Sequence, residues 1–194
     1  MRKAAFLDRD GVINADHGYV SRPENFEWLP GVFEACRELG RLGYVLVVVT
    51  NQSGIARGYY GEDDFLRLTA WMNERFADEG VSIAGVYYCP HHPEKGIGAY
   101  KQACDCRKPE PGMLLRAARE LSLDLSQSVM FGDKPGDMTA ARRAGVPVRI
   151  QVGTDAEALP EPSPDATQTA LSLLEGVRIL SDFQPAVSYR RLRT

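Results

Sequence analysis

The sequence predicts an α/β protein built on a doubly wound parallel sheet. Three observations point there. Short apolar runs alternate with longer segments whose apolar residues recur at helical spacing. The runs are apolar on both faces, as strands buried between two helix layers are. Several of them stop abruptly in carboxylates, hydroxyls or amides, and in open α/β sheets ligands bind beyond the carboxyl ends of the strands.

Taken in order, Ala4-Ala5-Phe6-Leu7 is the first strand and runs into Asp8-Arg9-Asp10-Gly11. Asp8 and Asp10 are two residues apart, so on extended chain their carboxylates lie on one side. Two close carboxylates are costly unless a cation shares them. A polar loop over 14–26 carries His17, Gly18, Tyr19 and Arg22. Val32, Ala35, Cys36, Leu39 and Leu42 then mark a helix that Gly43 ends. Cys36 falls on the inner stripe and is a core thiol. The run 44–49 is the clearest strand, and Thr50-Asn51-Gln52-Ser53-Gly54 follows it. Residues 62–79 read as an amphipathic helix on Phe65, Leu68, Met72 and Phe76. A strand over 83–88 leads to Cys89-Pro90-His91-His92-Pro93, and after a loop comes Cys104-Asp105-Cys106-Arg107-Lys108. Pro109 and Pro111 open a helix lined by Leu114, Leu115, Ala118 and Leu121. A fourth strand, 128–132, meets Asp133-Lys134-Pro135-Gly136-Asp137. A short helix over 138–144, a fifth strand over 147–152 and a last helix over 167–180 complete the pattern. Residues 159–164 look linker-like, and 181–194 read as a tail behind a single domain, 1–180. The arrangement is Rossmann-like.

The 194 residues allow one sizeable core, and 44% apolar with 25% charged is ordinary globular composition. A net charge of −3 gives no overall basic footprint for nucleic acid. The longest clean apolar run, 45–49, is too short to span a bilayer, and Asp8 interrupts any signal-peptide core. A cytoplasmic, monomeric protein with no membrane or nucleic-acid partner is expected.

Three of the four cysteines lie within eighteen residues of one another. Cys89-x-His91 and Cys104-x-Cys106 supply three sulfurs and an imidazole, a tetrahedral set for structural Zn²⁺. His92 is left as a bystander. The carboxylates Asp8, Asp10 and Asp133, at neighbouring strand ends, suit Mg²⁺. Thr50, Asn51 and Lys108 add donors and positive charge for phosphoryl oxygens, which suits phosphoryl transfer. One carboxylate can act as nucleophile and a second as acid and base.

In order and spacing, Asp8-Arg9-Asp10-Gly11-Val12, Thr50-Asn51, Lys108 and Gly132-Asp133-x-x-x-Asp137 resemble the four motifs of the haloacid-dehalogenase (HAD) superfamily phosphatases. The resemblance covers about the first 150 residues. It implies Asp8 as nucleophile, Asp10 as general acid and base, and Thr50 and Lys108 as phosphoryl stabilisers. Mg²⁺ would be held by Asp8, the Asp10 backbone carbonyl and Asp133. Asp137 fills the last acidic position and either supports the metal site or is structural. Superfamily members often carry an inserted cap domain, and here neither interval between motifs has room for one. A capless core with this zinc loop is similar to the histidinol-phosphatase and heptose-bisphosphatase subfamily. That resemblance makes Asp16, His17, Gly18, Tyr19, Asn51, Gln52, Ser53 and Arg107 substrate contacts alongside Thr50. Lys134 is a further phosphate-site candidate. The resemblance of the loop sequences to that subfamily implies a heptose bisphosphate as the sugar phosphate substrate, with histidinol phosphate as the alternative. A zinc-stabilised binding module without catalysis, using Arg142-Arg143 or Arg190-Arg191-Leu192-Arg193, is the reading from another class.

Overall fold

The computed structural model describes residues 1–154 and 158–183. Six strands form one sheet: β1 (Ala4–Leu7), β2 (Val45–Asn51), β3 (Ile83–Cys89), β4 (Val129–Gly132), β5 (Val148–Val152) and β6 (Gln168–Ala170). Their order is β3-β2-β1-β4-β5-β6, and every pairing is parallel. Parallel neighbours need crossovers, which helices supply. These are α1 (Val32–Arg41), α2 (Ser53–Ala56), α3 (Glu62–Asp78), α4 (Gly112–Leu121), α5 (Pro135–Ala144) and α6 (Leu173–Phe183).

Strand alternation sorts the side chains between two cores. Ala5 and Leu7 of β1 face a layer containing Val32 and Leu39 of α1, Leu68 and Met72 of α3, and Val177 of α6. Ala4 and Phe6 face the other, with Met113 and Leu114 of α4 and Met138 and Ala141 of α5. Cys36 is buried in the first layer, and burial pushes its thiol up to about 12. The same alternation, continued by the bond from the Asp8 N–H to the Phe131 carbonyl, directs the Asp8 side chain to the second side, and the chain bends at Arg9. The chain leaves β1 toward β2 and β3, then returns to β4 on β1's other flank. A crevice opens at the carboxyl ends where these directions part.

Two sequence expectations are corrected and one gap is filled. Residues 168–170 pair with β5 as a sixth strand, so α6 starts at Leu173 rather than near Thr167, and it runs to Phe183. The polar stretch after the second strand, to which the sequence assigns no element, contains one helical turn over 53–56. The linker-like stretch is tied to the sheet: Ser163 is buried, and its N–H donates to Gln151 Oε1 at 2.8 Å. Tail residues 184–194, with the basic run at 190–193, lie outside the described residues. Among those described, no helix is long and apolar enough to cross a membrane. Only a loop and α1 separate β1 from β2, and only α2 and α3 separate β2 from β3.

Candidate active site

A cleft of about 520 Å³ lies over the carboxyl ends of β1, β2 and β4. Asp8, Asp10, Thr50 and Lys108 line it, with Asp16, Gly18, Tyr19, Asn51, Gln52, Ser53, Arg107 and Lys134 further out. On its floor the buried Lys108 Nζ lies 2.9 Å from Asp8 Oδ1 and 2.6 Å from Asp137 Oδ1, and it donates to the Val49 carbonyl at 2.7 Å. Burial raises the Asp8 carboxyl above its ordinary value, although Lys108 opposes that. Desolvation costs several kcal/mol per ion, so such a cluster is a poor way to gain stability. It indicates a site.

Asp8, Asp133 and Asp137 hold carboxylate oxygens within 4.8 Å of one another. Asp133 Oδ1 is buried with no hydrogen-bond partner. Burial, and then the charge of Asp8, push the Asp133 carboxyl up to about 8. Clustered carboxylates with an orphaned oxygen fit a divalent cation. Asp137 is committed elsewhere: it holds Lys108, and its Oδ2 accepts from the Lys134 N–H at the start of α5. The Asp10 carboxylate lies outside this cluster. It accepts from Arg9 Nε and Nη2, from Asn14 Nδ2 at 3.0 Å and from Gln52 Nε2 at 3.1 Å. Arg9 is itself buried, and its Nη2 also donates to the Val20 carbonyl.

Three expected substrate contacts are occupied by the protein, Gln52 among them: its Nε2 donates to Asp10 and Thr50, and its Oε1 accepts from the Tyr60 hydroxyl. Asn51 donates to the Lys108 carbonyl at 3.0 Å and accepts from the Lys108 N–H at 3.1 Å, clamping that peptide. His17 does not reach the cleft; its Nε2 meets Glu27 Oε2 at 2.7 Å on an exposed face. Asp16 and Lys134 pair at 3.0 Å across the mouth. Tyr19 stands at the rim, half exposed, edge-on to Tyr59 and under the Arg57 guanidinium. Arg107 donates to the His91 carbonyl, which ties the rim to the cysteine loop.

Cys89 Sγ, His91 Nδ1, Cys104 Sγ and Cys106 Sγ cluster beyond the carboxyl end of β3. Their separations are 3.5 Å (Cys89–Cys104), 3.3 Å (Cys104–Cys106), 3.5 Å (Cys106–His91) and 3.8 Å (Cys89–His91). A zinc–sulfur bond of about 2.3 Å gives tetrahedral edges of about 3.8 Å, so the four atoms fit one zinc ion. Hydrogen bonding from Cys89 lowers the Cys106 thiol to about 5, while the Cys89 and Cys104 thiols are pushed up, so the protein alone favours a single thiolate in the cluster. His92 Nδ1 instead accepts from the N–H groups of Glu94 and Lys95.

A HAD-hydrolase-like family model matches residues 105–175. The D-glycero-beta-D-manno-heptose-1,7-bisphosphate 7-phosphatase of Vibrio cholerae is 59% identical over 153 residues, which is 79% of this chain and 82% of that protein. The chain belongs to the D-glycero-beta-D-manno-heptose-1,7-bisphosphate 7-phosphatase family of HAD-like phosphatases. The Escherichia coli relative of the same name is 53% identical over 158 residues, 81% of this chain and 83% of its own. The crystal structure of D,D-heptose 1,7-bisphosphate phosphatase from B. bronchiseptica, complexed with magnesium and phosphate, superposes with a TM-score of 0.78 at 32% identity. It covers 93% of this chain and 98% of that one. The chain is therefore an enzyme, a phosphoric monoester hydrolase with the HAD fold.

Within this family fold, sequence reasoning missed Arg9, Asn14, Tyr60 and the supporting use of Asn51 and Gln52. Arg9 and Asn51 lie within motifs and Asn14 and Gln52 beside them, but their roles depend on where their side chains turn. Tyr60 had no signal beyond the pair Tyr59-Tyr60.

Proposed function

We propose that the enzyme removes the C7 phosphate of D-glycero-beta-D-manno-heptose 1,7-bisphosphate through an aspartyl-phosphate on Asp8. The observation that carries this reading is the floor of the cleft, where Asp8 is held between Lys108 and the carboxylates of Asp133 and Asp137. Asp8 Oδ1 accepts from the Arg9 N–H and pairs with Lys108, so Oδ2 is the oxygen free to attack phosphorus. Lys108 and Thr50 neutralise the transferring oxygens, as charge-dominated phosphoryl transfer requires. Asp10 gives a proton to the departing sugar oxygen and later takes one from the water that cleaves the aspartyl-phosphate. The Asp8 and Asp133 carboxylates and the Asp10 backbone carbonyl would hold Mg²⁺, which when bound supplies positive charge to the phosphoryl group. Cys89, His91, Cys104 and Cys106 would hold a structural Zn²⁺. Arg107, Lys134, Ser53 and the 16–19 loop surround the space left for sugar and distal phosphate; a guanidinium fork suits that phosphate. The product, heptose 1-phosphate, would serve lipopolysaccharide or surface-glycan synthesis in the cytoplasm, with the enzyme acting as a monomer.

The test is turnover of the heptose bisphosphate and histidinol phosphate side by side. A larger kcat/KM for the heptose is expected, and a larger value for histidinol phosphate would overturn the substrate. The Asp8→Asn enzyme should fold and lose at least ~10⁴ in kcat. Undiminished activity would remove Asp8 as nucleophile. Metal analysis of protein purified without added metal should find about one zinc per chain.

A further inference from the structure

Gln52 sits 2% exposed between the end of β2 and the turn of α2. Its Nε2 contacts two reaction groups at once, Asp10 Oδ2 at 3.1 Å and Thr50 Oγ1 at 2.8 Å. The opposite end, Oε1, accepts from the Tyr60 hydroxyl at 2.5 Å. Chemistry fixes the direction of this chain. A carboxylate can only accept, so the amide must present its NH₂ to Asp10. That leaves Oε1 for Tyr60, whose hydroxyl burial pushes up to about 12, so it remains a donor at neutral pH. One Nε2 hydrogen goes to Asp10 and the other to Thr50 Oγ1. The Thr50 hydroxyl proton is then left to donate into the cleft. The tyrosine ring is held as firmly as its hydroxyl: it lies against Gly54, where a Cβ would fall 2.2 Å from Tyr60 Cε1.

We infer that Tyr60 is a positioning residue for phosphoryl transfer, acting through Gln52 to hold the Asp10 carboxylate and to aim the Thr50 hydroxyl at the substrate. This rests on the phosphatase reading above and assigns Tyr60 no contact with the reacting atoms. Without the hydroxyl, Gln52 Oε1 loses its donor and the amide is free to turn. An inverted amide would set an oxygen against the Asp10 carboxylate and remove the donor from Thr50.

The experiment compares wild type, Tyr60→Phe, Gln52→Leu and the double variant. The substrates are the heptose 1,7-bisphosphate and p-nitrophenyl phosphate. Tyr60→Phe keeps the ring against Gly54, so its Tm should fall by only the few degrees that one lost buried hydrogen bond costs, leaving the enzyme fully folded at the assay temperature. Its kcat should fall about tenfold on both substrates with KM changed less than about twofold, a modest fraction of the ~10²–10⁴ that acid–base catalysis supplies. Gln52→Leu should fall further, and the double variant should equal Gln52→Leu, since Tyr60 works only through that amide. A Tyr60→Phe enzyme with wild-type kcat overturns the inference. So do losses that multiply in the double variant, a change confined to KM, or a loss that follows Tm. A wild-type enzyme inert toward both substrates overturns the phosphatase reading instead.

Discussion

At the scale of single residues, Asp133 is the most exposed to test. Its buried Oδ1 has no partner, and burial beside Asp8 drives its carboxyl up to about 8. The metal-free protein therefore carries a repulsion that a cation would remove. Mg²⁺ is expected to raise the wild-type Tm, since a ligand at 100 times its Kd adds about 2.7 kcal/mol. Asp133→Asn should be at least as stable as wild type without metal and should show little Mg²⁺-dependent shift. A scanning-calorimetry series with and without Mg²⁺ reads both. Asp8, Thr50 and Asp133 were legible in the sequence because a strand end fixes where the next side chain goes, and Lys108, which follows the cysteine loop, was legible through the motif resemblance. His17 was not: inside a loop, chain direction does not decide orientation, and its imidazole turns to Glu27. Asn51 was assigned to the substrate because its amide suits a phosphate, but the Lys108 peptide takes both ends of it.

At the scale of elements, Glu62 joins three of them. It starts α3 and accepts from the hydroxyl of Tyr88 on β3 and from that of Tyr100 in the cysteine loop, at 2.6 Å for Tyr100. The Tyr100 bond, then that of Tyr88, holds its carboxyl below the ordinary 4.5. A depressed acid stabilises the fold above its unfolded value and loses that contribution as pH falls through the folded one. Glu62→Gln puts an NH₂ donor where one carboxylate oxygen accepted, so one tyrosine hydroxyl must turn to accept and both charge-assisted bonds become neutral ones. Its Tm at pH 7 should fall by about 1–3 °C, from roughly 0.5–1 kcal/mol per hydrogen bond. The gap to wild type should narrow as pH drops below about 4.5. Thermal melts at four or five pH values check this. Element boundaries were readable where apolar stripes run for three turns, as in α1 and α3. β6 is three residues long, and Ala170, Leu173 and Val177 carry a helical stripe straight through it. Only pairing with Ile150, Gln151 and Val152 makes it a strand, and a tertiary partner is invisible to local periodicity.

At the scale of the molecule, β1 pairs with both β2 and β4 at the middle of the sheet, and the cleft opens where the chain changes direction beside it. Alternation of strand and helix was enough to predict a parallel sheet with helices on both faces, but not the order of its strands, which depends on pairings far apart in sequence. Two distant segments meet beside the end of β1. Gly11 has a φ of +92°, and a Cβ on it would fall 2.5 Å from Asp133 Oδ2. The turn after β1 and the carboxylate after β4 thus occupy the same space, with no allowance for a methyl group. In a saturation library selected for phosphatase activity, position 11 should be purged as thoroughly as position 8, although glycine offers nothing to a substrate or a metal. Gly11→Ala should reveal its defect in the Mg²⁺-dependent Tm shift, with Asp133 displaced. A map of tolerated substitutions would mark Gly11 as functional through a clearance shared by two distant stretches of chain, with no chemistry of its own.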